Sequence, residues 1–163
     1  MRWLLAPALL MLAAGPRVEA APAALEGDAL LAQTASAVEA AHHRADERAA
    51  SDPRGAAEDL AQALELAFPP GDPSRALRAD LWARLAQLWL AAGDPARARD
   101  EARRGLEEDR AGQPLPQTAL LRLREGEALE ALRDDAGAVE AYREAIHVAG
   151  ALIRRHHEPR EVP

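Results

Sequence analysis

Cysteine, lysine and asparagine are absent from the 163 residues. Without cysteine there is no disulfide framework, no thiolate nucleophile and no attachment point for a lipid-anchored leader. Every basic side chain other than histidine is arginine, which we read as compositional bias without functional weight. Aromatics make up only 3% of the chain, against a hydrophobic fraction of 48%, so alanine and leucine supply most of the apolar surface. Both are strong helix formers, while the residues that favour strands are scarce. The chain also lacks a glycine-rich phosphate loop and a His-Glu-x-x-His motif. Its few serines, Ser36, Ser51 and Ser74, stand in helix or turn contexts with no strained nucleophile turn around them. The expectation is a protein that is not an enzyme and needs no cofactor. A net charge of −7 disfavours nucleic acid, whose counterions only a basic face replaces, and an anionic membrane surface.

The first twenty residues pose a separate problem. Arg2 gives a positive start, Trp3 to Ala14 is an apolar run, and Gly15-Pro16 precedes the small-residue ending Val18-Glu19-Ala20. This is the layout of a secretory signal cut after Ala20, with residues 1–20 as the signal peptide and an exported, periplasmic or secreted product. A membrane anchor is the alternative, but a span needs roughly twenty apolar residues. Removal takes out Arg2, Arg17 and Glu19 and leaves the remainder one unit more acidic.

Residues 21–27 read as a short linker, 28–155 as one helical domain and 156–163 as a flexible tail. Three Asp-Pro pairs, Asp52-Pro53, Asp72-Pro73 and Asp94-Pro95, mark helix starts. Aspartate caps free first-turn amides, and proline fits the first helical position. Gly71 and Gly93 stand where a left-handed residue would end the preceding helix. These marks predict helices near 28–50, 53–67, 74–91, 95–109, 117–132 and 136–155. Their short links suggest antiparallel hairpins.

The hairpins resemble one another. Ala56, Ala98 and Ala138 open three similar stretches in which Ala63, Gly105 and Ala145 follow Leu60, Ala102 and Tyr142 by three residues. Each of these small residues precedes a larger apolar one: Leu64, Leu106 and Ile146. Small residues let helix backbones approach, and the larger neighbour is expected to fill the space beside them. Ala86 and Gly126 each lie twelve residues ahead of Ala98 and Ala138, as a stacked repeat requires.

On these residues the segment Leu81 to Asp109 resembles a tetratricopeptide repeat. Trp82, Leu85, Ala86 and Trp89 match the first helix of the family's pattern, Gly93-Asp94 its turn, and Ala98, Gly105 and Leu106 its second helix. Ala119 to Ile146 matches through Gly126, Leu129, Ala138, Tyr142, Ala145 and Ile146 but departs at Arg122 and Glu125. Ala37 to Leu66 matches in its second helix, while His43, Arg44 and Glu47 replace the apolar signature of the first. Successive units are offset by 42 and 40 residues, longer than the family's period of about 34. The resemblance implies an all-α fold, a short α-solenoid of about three antiparallel hairpins; a generic helical bundle is the alternative.

The same resemblance implies a protein or peptide partner held on the concave face lined by each hairpin's first helix. That face carries Val38 and Arg48, then Asp80, Gln87 and Leu90, then Leu123, Glu127 and Glu130. It is mixed and mostly acidic, which suits a partner with basic and small apolar side chains. Ala83 and Gln87 replace the residues with which some members clamp a C-terminal carboxylate. The alternative function is a self-oligomerising structural subunit, with the last helix pairing through Val148, Leu152 and Ile153. Trp82 and Trp89, seven apart, read as core. Glu39, His43 and Glu47 form one helical row, but the adjacent His42 and His43 point about 100° apart and do not readily chelate one ion. His156-His157 reads as solvated tail. The alternation Arg97-Arg99-Asp100-Glu101-Arg103-Arg104 reads as a solvated, salt-bridged surface.

Overall fold

The computed structural model describes residues 22–110 and 112–157. The expected signal peptide and most of the expected tail therefore lie outside the described residues. Within them the protein is all helical, without a strand: α1 (Pro22–Ala49), α2 (Pro53–Ala61), α3 (Asp72–Ala91), α4 (Pro95–Asp109), α5 (Pro116–Ala131) and α6 (Asp135–His157). No described helix is long and apolar enough to cross a membrane.

Three boundaries differ from expectation. The stretch taken as linker is the first part of α1, because Pro22 tolerates a first turn and Ala23-Ala24-Leu25-Glu26 continues with strong helix formers. The second helix is shorter than expected: α2 tightens into a 3-10 turn over Gln62–Glu65 and Leu66 is extended. Phe68-Pro69-Pro70 follows, and a residue before proline is pushed out of helical conformation. At the other end, His156 and His157 belong to α6, exposed on its last turn.

The turns between helices follow the capping logic at two of the three Asp-Pro pairs. Asp52 accepts a hydrogen bond from the Gly55 amide at 2.9 Å, and Asp94 from the Arg97 amide at 3.1 Å. Asp72 instead lies inside the first turn of α3, whose cap position is Gly71 at φ 131° and ψ 169°, a conformation that is essentially glycine's own. The third side-chain cap is Asp134, which accepts from the Gly137 amide at 3.0 Å. At the end of α3, Gly93 (φ 75°) donates to the Leu90 carbonyl and Asp94 to that of Trp89. Forty residues on, at the end of α5, Arg133 (φ 66°) donates to the Glu130 carbonyl and Asp134 to that of Leu129. One aspartate thus ends one helix and begins the next, twice, by the same two bonds.

Consecutive helices pack on each other throughout. In addition α1 touches α3 and α3 touches α5, whereas α2 does not touch α4, nor α4 α6. A continuous core runs from Val38, Ala41 and Ala45 through Leu60, Leu85, Trp89 and Ala98 to Leu121 and Ala128. Leu129, Ala138 and Ala141, with Tyr142, make a smaller cluster between α5 and α6. The expected core tryptophans are buried. Ala86 and Ala98 are fully buried, and a Cβ on Gly105 would stand 2.7 Å from Trp82 Cβ and 2.8 Å from Leu121 Cδ2. A Cβ on Gly126 would collide with the Tyr142 ring. The expected filling by the larger neighbours holds for Leu106, is partial for Leu64, and fails for Ile146, which is 73% exposed because, among the described residues, α6 packs on α5 alone.

Polar groups also enter the interior. Asp109, 5% exposed, pairs with Arg75 Nη1 at 3.1 Å and accepts a hydrogen bond from Thr118, whose hydroxyl in turn accepts from the Leu115 amide. Helices α3, α4 and α5 are tied at that junction. Glu101 and Glu125 are buried rather than solvated; Glu125 accepts from Arg103 at 2.8 Å and from Arg122 at 2.9 Å. Both arginines remain partly exposed, so their guanidinium groups reach the buried Glu125 carboxylate from the solvent side.

Two substitutions test this packing by thermal or urea unfolding. Arg133→Gly removes a left-handed arginine and should raise stability by about 1 kcal/mol. Gly105→Ala improves helix propensity by about 1 kcal/mol, but the overlap with Trp82 and Leu121 should outweigh that and lower stability by about 1–2 kcal/mol. A stabilised Gly105→Ala protein would contradict the close approach of α3, α4 and α5.

Candidate functional site

The contacts of α1 with α3 and of α3 with α5 place the first helices of the three hairpins side by side. Polar ties join α1 to α3. His42 Nε2 lies 3.1 Å from Asp80 Oδ2, out of line for a hydrogen bond, and Arg84 pairs with Asp46 while donating to Gln87 at 2.8 Å. Toward the N-terminal ends of α3 and α5 the surface becomes apolar. Leu31 and Ala35 of α1, Pro73, Ala76 and Leu77 of α3, and Gln117 of α5 line an open notch of about 510 Å³ with Asp80 at its edge. At the opposite ends, Glu127, Glu130, Ala131 and Arg133 line a shallower polar hollow of about 370 Å³.

The expected face is only partly assembled. Asp80 borders the notch, and Glu127 and Glu130 share the hollow. Gln87 is half-buried and held by Arg84, Leu90 is half-buried against the core, and Leu123 is 37% exposed on α5. Val38 does not belong to the face: at 2% exposure it is core, directed inward by the turn of the helix that also buries Thr34, Ala41 and Ala45. Arg48 does not belong either. It pairs with Asp52 and Asp59 at 2.6 Å each, closing the turn between α1 and α2. The Gly55 amide, and after it the Arg48 guanidinium, hold the Asp52 carboxyl below its ordinary value. Two hydrogen-bonded carboxylates, Asp59 before Asp52, raise the Arg48 guanidinium above its own.

Sequence reasoning missed Leu31, Ala35, Pro73, Ala76, Leu77 and Gln117. Their signal was the run of small and medium apolar residues near two helix starts, left over once the core periodicity is assigned. His42 meets Asp80 on α3, while His43 sits 3.4 Å from Glu47 on its own helix. Among the described residues no three metal-ligating side chains converge.

Chemically, the face has more hydrogen-bonding capacity than free charge. Glu127 is compensated by Arg124 at 2.7 Å, and Asp46 by Arg84. Among the described residues Glu130 accepts only from the Tyr142 hydroxyl, at 2.8 Å, and Asp80 has only His42 as a charged neighbour. A second cavity, about 290 Å³, lies at the junction of α3, α4 and the loop after α2, beside Phe68, Arg75 and Arg78. Its charges are satisfied internally: Arg78 grips Glu108 by two bonds of 2.8 Å beneath the Phe68 ring, and although burial raises the Glu108 carboxyl, Arg78 and Trp82 together hold it below its ordinary value. No family model, curated protein or solved structure matches this chain.

Burial, and after it the hydrogen bond to Glu130, pushes the Tyr142 phenol up to about 12. The folded state therefore holds this proton more tightly than the unfolded chain. The contribution to stability is complete below about pH 10 and is lost as pH rises through about 12. Tyr142 is the only tyrosine, so tyrosinate absorbance reports it alone. The titration midpoint should lie near 12 and should fall only part of the way toward 10 in Glu130→Gln, because burial remains; an unchanged midpoint would remove Glu130 as a contributor.

Proposed function

We propose that this is a non-catalytic scaffold of the cell envelope, a short tetratricopeptide-like array that holds a protein or peptide segment on the face of α1, α3 and α5. The observation that carries this reading is the apolar notch between α1 and α3 with the Asp80 carboxylate, which meets no arginine among the described residues, at its edge. Such a site takes a small apolar side chain and a neighbouring basic group from one extended segment. The hollow with Glu130 suits a second basic group. Support for the array comes from the contact pattern, in which first helices touch first helices and second helices do not touch each other, and from the twice-used turn through Asp94 and Asp134. Support for export is the pattern of residues 1–20.

Panning a random peptide library on the immobilised full chain tests the reading. Enriched peptides should pair Arg or Lys with small apolar residues. Ala76→Glu, which fills the notch, and Asp80→Arg, which reverses its charge, should each weaken the selected peptides at least tenfold, about 1.4 kcal/mol, while the melting temperature stays within about 2 °C. If neither variant alters binding, the assigned face is wrong; if no peptide is enriched, so is the scaffold reading.

A further inference from the structure

Ser74 stands on the first turn of α3, is 5% exposed, and lines the cavity of about 290 Å³ between α3, α4 and the loop after α2. A buried hydroxyl is normally paired, yet among the described residues this one makes no hydrogen bond. The backbone of the same residue is also free. Pro73 has no N–H, the Arg75 amide donates to the Gly71 carbonyl at 3.1 Å, and no side chain caps α3. That leaves the Ser74 amide as a first-turn donor without an acceptor. Arg75, also on the cavity wall, has its Nε buried without a partner. Unused donors of two adjacent residues thus stand at one end of one cavity.

The rest of the wall selects the kind of acceptor. Phe68, Pro69, Ala79 and the bare backbone of Gly105 offer an apolar bed, and the volume lies at the small end of the range for small-molecule sites, about 300–1,000 Å³. Around it Arg75 meets Asp109 at 3.1 Å and Asp72 at 3.2 Å, while Arg78 holds Glu108. Two arginines against three carboxylates leave an excess of negative charge, which repels an anion. Glu108, whose side chain is 38% exposed, keeps acceptor capacity beyond its bonds to Arg78. We propose that this cavity binds a small uncharged carboxamide, its carbonyl oxygen on the Ser74 hydroxyl and amide, its N–H on Glu108 and its apolar body against Phe68 and Gly105. A carboxylate of the same shape lacks the donor and meets the excess charge. The site is independent of the peptide-binding reading: Ser74 and Arg78 lie on the side of α3 opposite Pro73, Ala76, Leu77 and Asp80 of the notch.

The test is a titration of the ¹⁵N-labelled full chain, followed by amide chemical shifts, with matched probes: benzamide against benzoate, and cyclohexanecarboxamide against cyclohexanecarboxylate. At least one amide should shift the Ser74, Arg75 and Gly105 signals saturably at millimolar concentration and bind at least fivefold tighter than its acid. Ser74→Ala should weaken that amide at least fivefold with an unchanged melting temperature. Asp72→Asn, at a side chain 83% exposed, should narrow the preference for amide over acid at least twofold by removing the excess charge. Ala76→Glu, which fills the notch, should leave the affinity unaltered. The proposal is overturned if neither amide shifts Ser74, which leaves a hollow that holds solvent alone. It is also overturned if the acids bind as tightly as the amides, or if Ser74→Ala binds like the parent. An affinity lost in Ala76→Glu would place the probes in the notch and overturn it too, and a preference unmoved in Asp72→Asn would overturn the charge selection.

Discussion

The distance at which α3, α4 and α5 meet is set by atoms that are missing. Gly105 presents no Cβ to Trp82 and Leu121, and Gly126 presents none to the Tyr142 ring, so large side chains on one helix rest against bare backbone on the next. Fully buried Ala86 and Ala98 extend the same arrangement between α3 and α4. A chain so poor in aromatics relies on this. With few large side chains to fill space, close packing needs backbones near one another and the few large groups placed where they touch most neighbours. Trp89 is such a group: it is 1% exposed, with the guanidinium of Arg97 on α4 3.8 Å from its ring centroid and that of Arg54 on α2 at 5.9 Å. A cation over an indole face adds about 0.5–2 kcal/mol to what burial already supplies.

Because the chain has no lysine, its charged interior is built on the arginine fork. The guanidinium of Arg75 reaches the Asp109 carboxylate, the Asp109 carbonyl and the Gln113 carbonyl together, so one side chain closes the link between α4 and α5 onto α3. A lysine at that position would reach one of these acceptors well and leave the others short of a partner. Removing one member of such a buried pair costs about 3–5 kcal/mol, since the remaining charge stays buried without its counterion. The same network changes the character of the binding face. Counted from sequence, the face is acidic; with Glu127 held by Arg124 and Asp46 by Arg84, Asp80 and Glu130 are the face carboxylates that meet no arginine among the described residues.

Helix positions and most helix ends were legible in the sequence because capping is local: Asp52 and Asp94 act within three residues of themselves. The turn between α5 and α6 was placed within a residue of its position, between 132 and 136, although its left-handed position holds Arg133 instead of glycine. Asp72 misled because an Asp-Pro pair also fits one step inside a helix when a glycine precedes it. The binding face was much less legible. Val38 and Arg48 were placed on it by alignment with a repeat that the first hairpin matches poorly, and their true positions depend on how α1 is rotated against α3. Nothing local to α1 encodes that rotation. It follows from pairing across helices, His42 beside Asp80 and Asp46 beside Arg84, between residues 38 apart in the chain.

That rotation also explains why the notch lies where it does. Where α1 meets α3 through polar side chains, at His42 and Asp46, those side chains occupy the interface and leave no hollow. A turn or more toward the N-terminus of α1 the facing residues are Leu31 and Ala35, opposed on α3 by Ala76 and Leu77. Leucine beside alanine on both helices fills less volume than the polar side chains above it, and the space opens between Pro73 and Gln117.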